Sequence, residues 1–189
     1  RADVYRFRHR LLVQGAGQKY QHSDSSDGML RDPVDKAATP ICLMKGGRIV
    51  AALRTIVTPA FSLPVYIKER FELAPFLALE NLTVSYTDYL LVDTDQVDPR
   101  AGNILMSAAY RMACNQGSAF DFTHASAGEV AMFERLGYRR YASNYTDMDL
   151  GPRVPLVLVT GDTAHLQRVK SPFVKLVDAS AHDPQPVSW

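Results

Sequence analysis

At 189 residues the chain has the length of one ordinary domain with room for a sizeable core. Its 21 Lys and Arg against 20 Asp and Glu leave a net charge of +1, which gives overall charge no role in binding nucleic acid or an anionic membrane, so an anionic partner needs a local patch. Two cysteines exclude a disulfide framework, no apolar run has the length of a membrane span, and the N-terminus lacks a signal-like apolar segment, so the expected location is the reducing cytoplasm.

In chain order, VYRFRHRLLVQ comes first, with Val4, Phe7 and Leu11 at helical spacing and a stop at Gly15 and Gly17. Arg8 interrupts the apolar stripe. Turned inward, its guanidinium needs a carboxylate or a substrate anion to offset desolvation; at the stripe's edge it snorkels. Residues 18–39 are polar and aperiodic, which suits a lid or binding segment, and they carry Asp32 and Asp35 around Pro33 as partners for Arg8. ICLM and IVAALRTIV flank Lys45-Gly46-Gly47-Arg48, a hairpin. Alternation puts Arg54 on a face with Val50, Ala52 and Ile56, a second arginine aimed at a core, where it belongs either to a polar site at the core's edge or to a structural ion-pair network. Residues 59–79 read as tunnel lining or as core, with a helical turn or two at VYIKERFEL and with Phe71 and Phe76 exposed. ENLTVSYTDYLLVD reads as a long strand, with or without a bulge, that places Tyr86, Asp88, Leu90 and Val92 on one face.

The run from Thr87 to Gly117 organises the rest. Strand residues Tyr89 to Val92 feed a turn with Asp98, Pro99, Arg100 and Gly102, then a helix with the rows Ile104, Ala108, Met112 and Leu105, Ala109, Ala113. Such a turn offers backbone N–H groups and a positive helix end to a phosphate, and it also fits an ordinary strand-helix crossover. Asp93, Asp95 and Asp98 lack the glycine and distal glutamate of a calcium loop, so no metal is expected. SAFDFTHAS reads as a strand with Phe120, Phe122 and His124 on one face. Ser126 and Glu129 then start a helix bearing Met132, Phe133 and Leu136 and stopped at Gly137. Two further strands, YRRYASNYTDMDL and RVPLVLVTG, precede a short helix ending at Pro172. No linker or repeat divides the chain, so one domain is expected over 1–174, with an irregular tail at 175–189.

This order is α/β (α+β), a mixed central sheet flanked by helices, and it resembles the GNAT-type acyl-CoA N-acyltransferase fold from about Val4 to Pro172, including a motif similar to that fold's in FERLGYRRY, residues 133–141. VYRFRHRLLVQ, DPVDKAATPICLMKGGRIVAALRT and HLQRVKSPF resemble the branch that includes acyl-homoserine-lactone synthases and long-chain N-acyl amino acid synthases. The resemblance implies an acyl thioester donor with its pantetheine arm along Leu91 and Val92 and its phosphate at Arg100, Ala101, Gly102 and Asn103. It also implies an amine acceptor across the sheet, near Arg8, Asp32, Asp35 and Arg54. No tightly bound cofactor is implied; the donor is a co-substrate, either the phosphopantetheine thioester of acyl carrier protein or acyl-CoA. The turn has fewer glycines than the family's, and three carboxylates precede it, which disfavours a pyrophosphate and makes acyl carrier protein the expected donor. Arg139, Arg140, Arg153, Arg168 and Lys170 form either its docking patch or a solvated face.

Amine attack on a thioester needs a base and a donor for the oxyanion. The tyrosine that many GNAT enzymes use as an acid falls at Phe133. The lactone synthases' strand Glu and Arg fall at Tyr86 and Tyr89, which argues against S-adenosylmethionine as substrate. The catalytic candidates are Asp88 with Tyr86 on its face, Glu80, and His124 at a strand end. The expected function is transfer of a medium or long acyl chain to the primary amine of an amino acid or peptide. An acetyl-CoA-dependent acetyltransferase and a non-catalytic module binding acyl carrier protein or a peptide are the two other readings.

Overall fold

A computed structural model describes residues 1–177 except 22 and 25, so most of the expected C-terminal tail, residues 178–189, lies outside the described residues. Helix α1 (Ala2–Arg8) runs on as a π-helical segment, His9–Gly15. Where the sequence is aperiodic, a small ribbon of β1 (Ser23–Asp24) and β2 (Met29–Leu30) precedes a 3-10 turn at Pro33–Lys36. The expected hairpin comes next as β3 (Thr39–Lys45) and β4 (Arg48–Pro59). Gly46 and Gly47 turn it at φ +56° and +75°, backbone that glycine adopts without steric cost.

After α2 (Val65–Arg70) and α3 (Ala74–Leu77) come β5 (Thr83–Val92), α4 (Ala101–Asn115), β6 (Phe120–Ala125) and α5 (Val130–Leu136). The short strands β7 (Arg139–Arg140) and β8 (Tyr145–Asp147), the long β9 (Gly151–Val159) and α6 (Thr163–Arg168) close the fold. The seven-stranded sheet has the order β3-β4-β5-β6-β9-β7, with β8 also on β9. β5 and β6 are its parallel pair, and α4 makes the crossover between them.

Alternation along the strands divides the apolar residues between two cores. Ala51, Leu53, Leu156 and Leu158 pack under α4 and α5; Ile56, Val84, Phe120 and Phe122 pack under the segment from Ala60 to Phe76. That segment is core rather than a tunnel lining. Phe71 and Phe76 are buried, contrary to expectation, with Phe71 edge-on to Tyr86 at 5.4 Å and Phe76 to Phe120 at 5.0 Å. On α4 the row Leu105, Ala109, Ala113 faces inward, but the row beside it is Met106 and Tyr110, and Ile104 is 60% exposed. Tyr110 decides this orientation: its ring stacks on Phe173 at 4.4 Å and its hydroxyl donates to the Thr160 carbonyl. α5 stops where expected, at Gly137 with φ +112°, where a Cβ would lie 2.5 Å from Leu166 Cδ2. Among the described residues no helix is long and apolar enough to cross a membrane.

Candidate active site

The site begins with an inserted residue. β5 pairs with β4 at Arg54↔Asp88 and again at Ala52↔Leu91, so β5 carries one residue more than β4 over that interval. Tyr89 absorbs the excess at φ +50°. The bulge reverses the facing of the rest of the strand. Asp88 shares the inward face of Arg54, whereas Leu90 and Val92 turn toward α4, where a Cβ on Gly102 would lie 3.8 Å from Leu90 Cδ1 and 3.6 Å from Val92 Cγ2. Tyr86, Asp88, Leu90 and Val92 therefore do not share one face.

On the other edge of β5 the parallel ladder with β6 runs only from Val84↔Phe120 to Tyr86↔Phe122, although the strands continue to Val92 and Ala125. A cleft of about 420 Å³ opens beyond the last pair, with Tyr86, Asp88, Tyr89, Leu91 and His124 in its wall.

Beneath the cleft lies a buried ion network. Arg54 donates from Nε and Nη2 to the two oxygens of Asp88, at 2.7 and 2.5 Å, and from Nη1 to Asp35 at 3.2 Å. Arg8 Nη1 donates to both oxygens of Asp35, at 2.8 and 3.0 Å. Asp32 stands 3.3 Å from Arg54 Nη1. The Tyr89 ring covers both guanidiniums, 4.5 Å from that of Arg8 and 4.7 Å from that of Arg54. The 3-10 turn sets the two loop aspartates: Asp32 accepts from Val34 N, and Asp35 accepts from Asp32 N, each at 2.8 Å. The structure thus brings together Arg8, Asp32, Asp35 and Arg54, and it shows what Arg8 needed inside an apolar stripe. Only Asp32 and Arg54 of the four reach the cleft wall. With two arginines against Asp32, Asp35 and Asp88, the network carries one excess negative charge.

The catalytic candidates differ in state. Burial alone pushes the Asp88 carboxyl up, but the charge and paired hydrogen bonds of Arg54 outweigh it and hold Asp88 below the ordinary 3.8, so it is ionised. Burial raises the Tyr86 hydroxyl well above its ordinary value and keeps it protonated. Burial lowers His124 below 6.5 against the pull of Asp88, so it is neutral near pH 7, and its Nδ1 is buried without a hydrogen-bond partner. Glu80 is exposed in the turn before β5 and does not line the cleft.

At the turn after β5, Ala101 and Gly102 are buried and Asn103 is exposed, while Leu91 and Val92 are half-buried. Arg100 is exposed and paired with Asp98 at 2.7 Å. That carboxylate also accepts from Arg100 N at 2.8 Å, and these hydrogen bonds hold it down at about 2. Asp93 is buried against Arg10 at 2.7 Å. Two of the three acidic residues thus have an arginine of their own, which weakens the repulsion of phosphate expected from the sequence. The five basic residues grouped as one patch are also divided: Arg139 pairs with Asp162, Arg140 with Glu134, and Arg153 lines the cleft. Sequence reasoning missed Tyr20, Tyr66 and Arg70 in that wall; Arg70 pairs with Asp147 at 2.7 Å and lies over the Tyr66 ring at 5.1 Å. The four-residue spacing of Tyr66 and Arg70 on a helix was the available signal.

No protein family matches the sequence, and no curated protein matches it. The fold has clear counterparts among solved structures. FeeM, an N-acyl amino acid synthase from uncultured soil microbes, superposes with a TM-score of 0.66 at 16% identity over 85% of this chain and 91% of its own. BjaI, a CoA-dependent acyl-homoserine lactone synthase solved with SAM and isopentyl-CoA, gives 0.65 at 16% identity over 90% and 82%. An acyl-CoA N-acyltransferase from Pseudomonas aeruginosa gives 0.55 at 16% identity over 84% and 88%. The fold is therefore the GNAT-type acyl-CoA N-acyltransferase fold, with β5 and β6 parted beyond Tyr86 and Phe122.

Proposed function

We propose that the protein is an N-acyltransferase that moves a medium or long acyl chain from a phosphopantetheine thioester to a primary amine. The observation that carries this reading is the parting of β5 and β6 beyond Tyr86↔Phe122, which leaves a slot for an extended thioester arm along Leu91 and Val92. The acceptor approaches from the cleft, where the excess negative charge of the network favours an ammonium. His124 takes the proton from that ammonium. The freed nitrogen attacks the thioester carbonyl carbon, and the developing oxyanion is met by backbone N–H groups at the bulge, where Tyr89 and Leu90 have no partner in the β4 register. The C–S bond then breaks, the attacking nitrogen gives up its second proton to leave the neutral amide, and the departing thiolate takes up one proton to leave as the free thiol. Asp88, held ionised by Arg54, shapes the cleft and does not act as the base.

Acyl carrier protein is the donor favoured by the glycine-poor turn. A second donor, acyl-CoA, is favoured by the pairing of Asp93 and Asp98 with arginines, and by a second cleft of about 430 Å³ beside Asp93 that includes Arg6, Arg10, Lys45 and Arg48.

Mass spectrometry of products from the purified protein, with acyl carrier protein and CoA thioesters and a panel of amines, tests the reading. Absence of any acylated amine with either donor overturns it in favour of a binding module. His124→Gln is expected to lower kcat by about 10²- to 10⁴-fold with little change in melting temperature. The wild-type rate should hold as pH falls through 6.5 and drop only below it, because His124 stays neutral there. An unchanged rate in the variant would remove His124 from the chemistry.

A further inference from the structure

Three arginines line the acceptor cleft, and two are occupied. Arg54 is held by Asp88 and Asp35, and Arg70 by Asp147 at 2.7 Å. The Arg153 side chain makes no ion pair and no hydrogen bond among the described residues, and its Nε is buried without an acceptor. Its place is set by alternation on β9. Val154, Leu156 and Leu158 enter the core under α4, so Arg153, Pro155 and Val157 face the other way, with Arg153 opposite Tyr145 and Pro155 opposite His124 in the register. The carboxylates around it are engaged elsewhere: Asp147 by Arg70, Asp149 by Gln21 N at 3.1 Å, and Glu129 by Ser126 N at 2.8 Å. A guanidinium N–H left unmet in a buried position costs free energy that an incoming oxygen recovers. The planar fork of arginine matches a carboxylate with two hydrogen bonds.

The cleft is thus two-signed. Asp32 and Asp88 stand in one part of its wall and carry the network's excess negative charge, and the unpaired Arg153 stands in another, with His124 also lining it. We propose that Arg153 anchors a carboxylate of the acceptor, so that the cleft selects small molecules bearing both an amine and a free carboxylate over plain amines and over side chains within a peptide. The identity of the bound molecule as acceptor rests on the acyl-transfer reading; the carboxylate site does not.

Calorimetric binding of a panel of L-amino acids and of their matched carboxamides to the full chain, alongside acyl transfer to both sets, tests this. Wild type is expected to favour the acids by about 10-fold or more in Kd and in kcat/KM, the scale of a charge-assisted pair. Arg153→Gln should erase that preference, chiefly by raising KM for the acids, and Arg153→Lys should restore part of it. Equal treatment of acid and amide by wild type, a preference retained in Arg153→Gln, or no binding of either set at millimolar concentration overturns the proposal. Carboxylate-dependent binding without transfer to any amine sinks the acyltransferase reading and leaves the Arg153 site standing. If Arg153→Gln fails to fold, the wild-type ratio and the lysine variant decide.

Discussion

Two aspartates buried on adjacent strands are held in opposite ways. Asp88 on β5 faces the cleft and is gripped by a charged partner, Arg54. Asp121 on β6 faces the α4 side, where Oδ2 accepts from the Tyr138 hydroxyl at 2.5 Å and Oδ1 from Thr87 Oγ1 at 3.0 Å. Burial pushes both carboxyls up. At Asp88 the guanidinium overcomes it, and at Asp121 the neutral hydroxyls only moderate it, so the first ends below 3.8 and the second above. Hydroxyl partners satisfy a carboxyl's hydrogen bonds, but only an opposite charge keeps it ionised in a dry place. The sheet thus keeps its fixed charge on the cleft face and a milder polar knot on the other.

The largest expected effect comes from breaking the charged side. Arg54→Ala leaves Asp88 buried without its partner, and Asp35 with Arg8 alone, and should cost about 3–5 kcal/mol in urea unfolding. It should also reverse a pH response. In wild type the lowered pKa of Asp88 contributes stability that is full above 3.8 and is lost as pH falls through its lower folded value. Without Arg54, burial raises that pKa, and Asp88 should then disfavour the fold as pH rises, as Asp121 does. The double variant Arg54→Met/Asp88→Leu should recover most of the stability and none of the acyl transfer. Full turnover in the double variant would reduce the network to a structural device.

A smaller effect sharpens the other side. Because the folded pKa of Asp121 is raised, its ionised form costs stability that is regained as pH falls through that value. Asp121→Asn keeps a side chain that can accept and donate among hydroxyls free to rotate. It should hold stability near neutral pH or raise it by about 1 kcal/mol, and flatten its pH dependence above 3.8. A loss of several kcal/mol would mean that the charged form is what Tyr138 and Thr87 hold.

Much of this arrangement was legible in the sequence, for physical reasons. An arginine turned into an apolar stripe demands a carboxylate or a substrate anion, and Asp32 and Asp35 were the near supply, so the pairing of Arg8 was one of the readings that cost allowed, beside snorkelling at the stripe's edge. The hairpin and the β5-α4 crossover could be read from Gly46-Gly47 and from the change of period at Arg100. A bulge was among the readings of this strand, but its place did not show. Tyr89 adopts a conformation unfavourable for a side chain with a Cβ, nothing in YTDYLL marks it, and a period-2 count then sends Leu90 and Val92 to the wrong face. Phe71 follows the six-residue α2 and Phe76 sits in the four-residue α3, elements too short to have a period to read. The acidic run at Asp93 looked repulsive because Arg10, 83 residues away, was invisible as its partner. For Arg153 the signal existed: alternation with Val154, Leu156 and Leu158 already put it opposite the α4 core, but grouping it with Arg139 and Arg140 by charge concealed that.

The smallest predicted change tests the donor side alone. Gly102 lies in the first turn of α4 against Leu90 and Val92, where a Cβ would meet side chains at 3.6 to 3.8 Å, an ordinary contact, and its φ is not in the left-handed region. Packing therefore does not require glycine there, and Gly102→Ala should leave the fold as stable or raise it by about 0.5–1 kcal/mol, since alanine loses less freedom on entering a helix. If this turn receives the donor's phosphate against its backbone, the added methyl should instead raise KM for the thioester severalfold while leaving KM for the amine unchanged, because the proposed acceptor site lies in the cleft. A variant that gains stability and keeps both KM values would show that the donor's phosphate is held elsewhere, and the basic cleft beside Asp93 would become the first place to test.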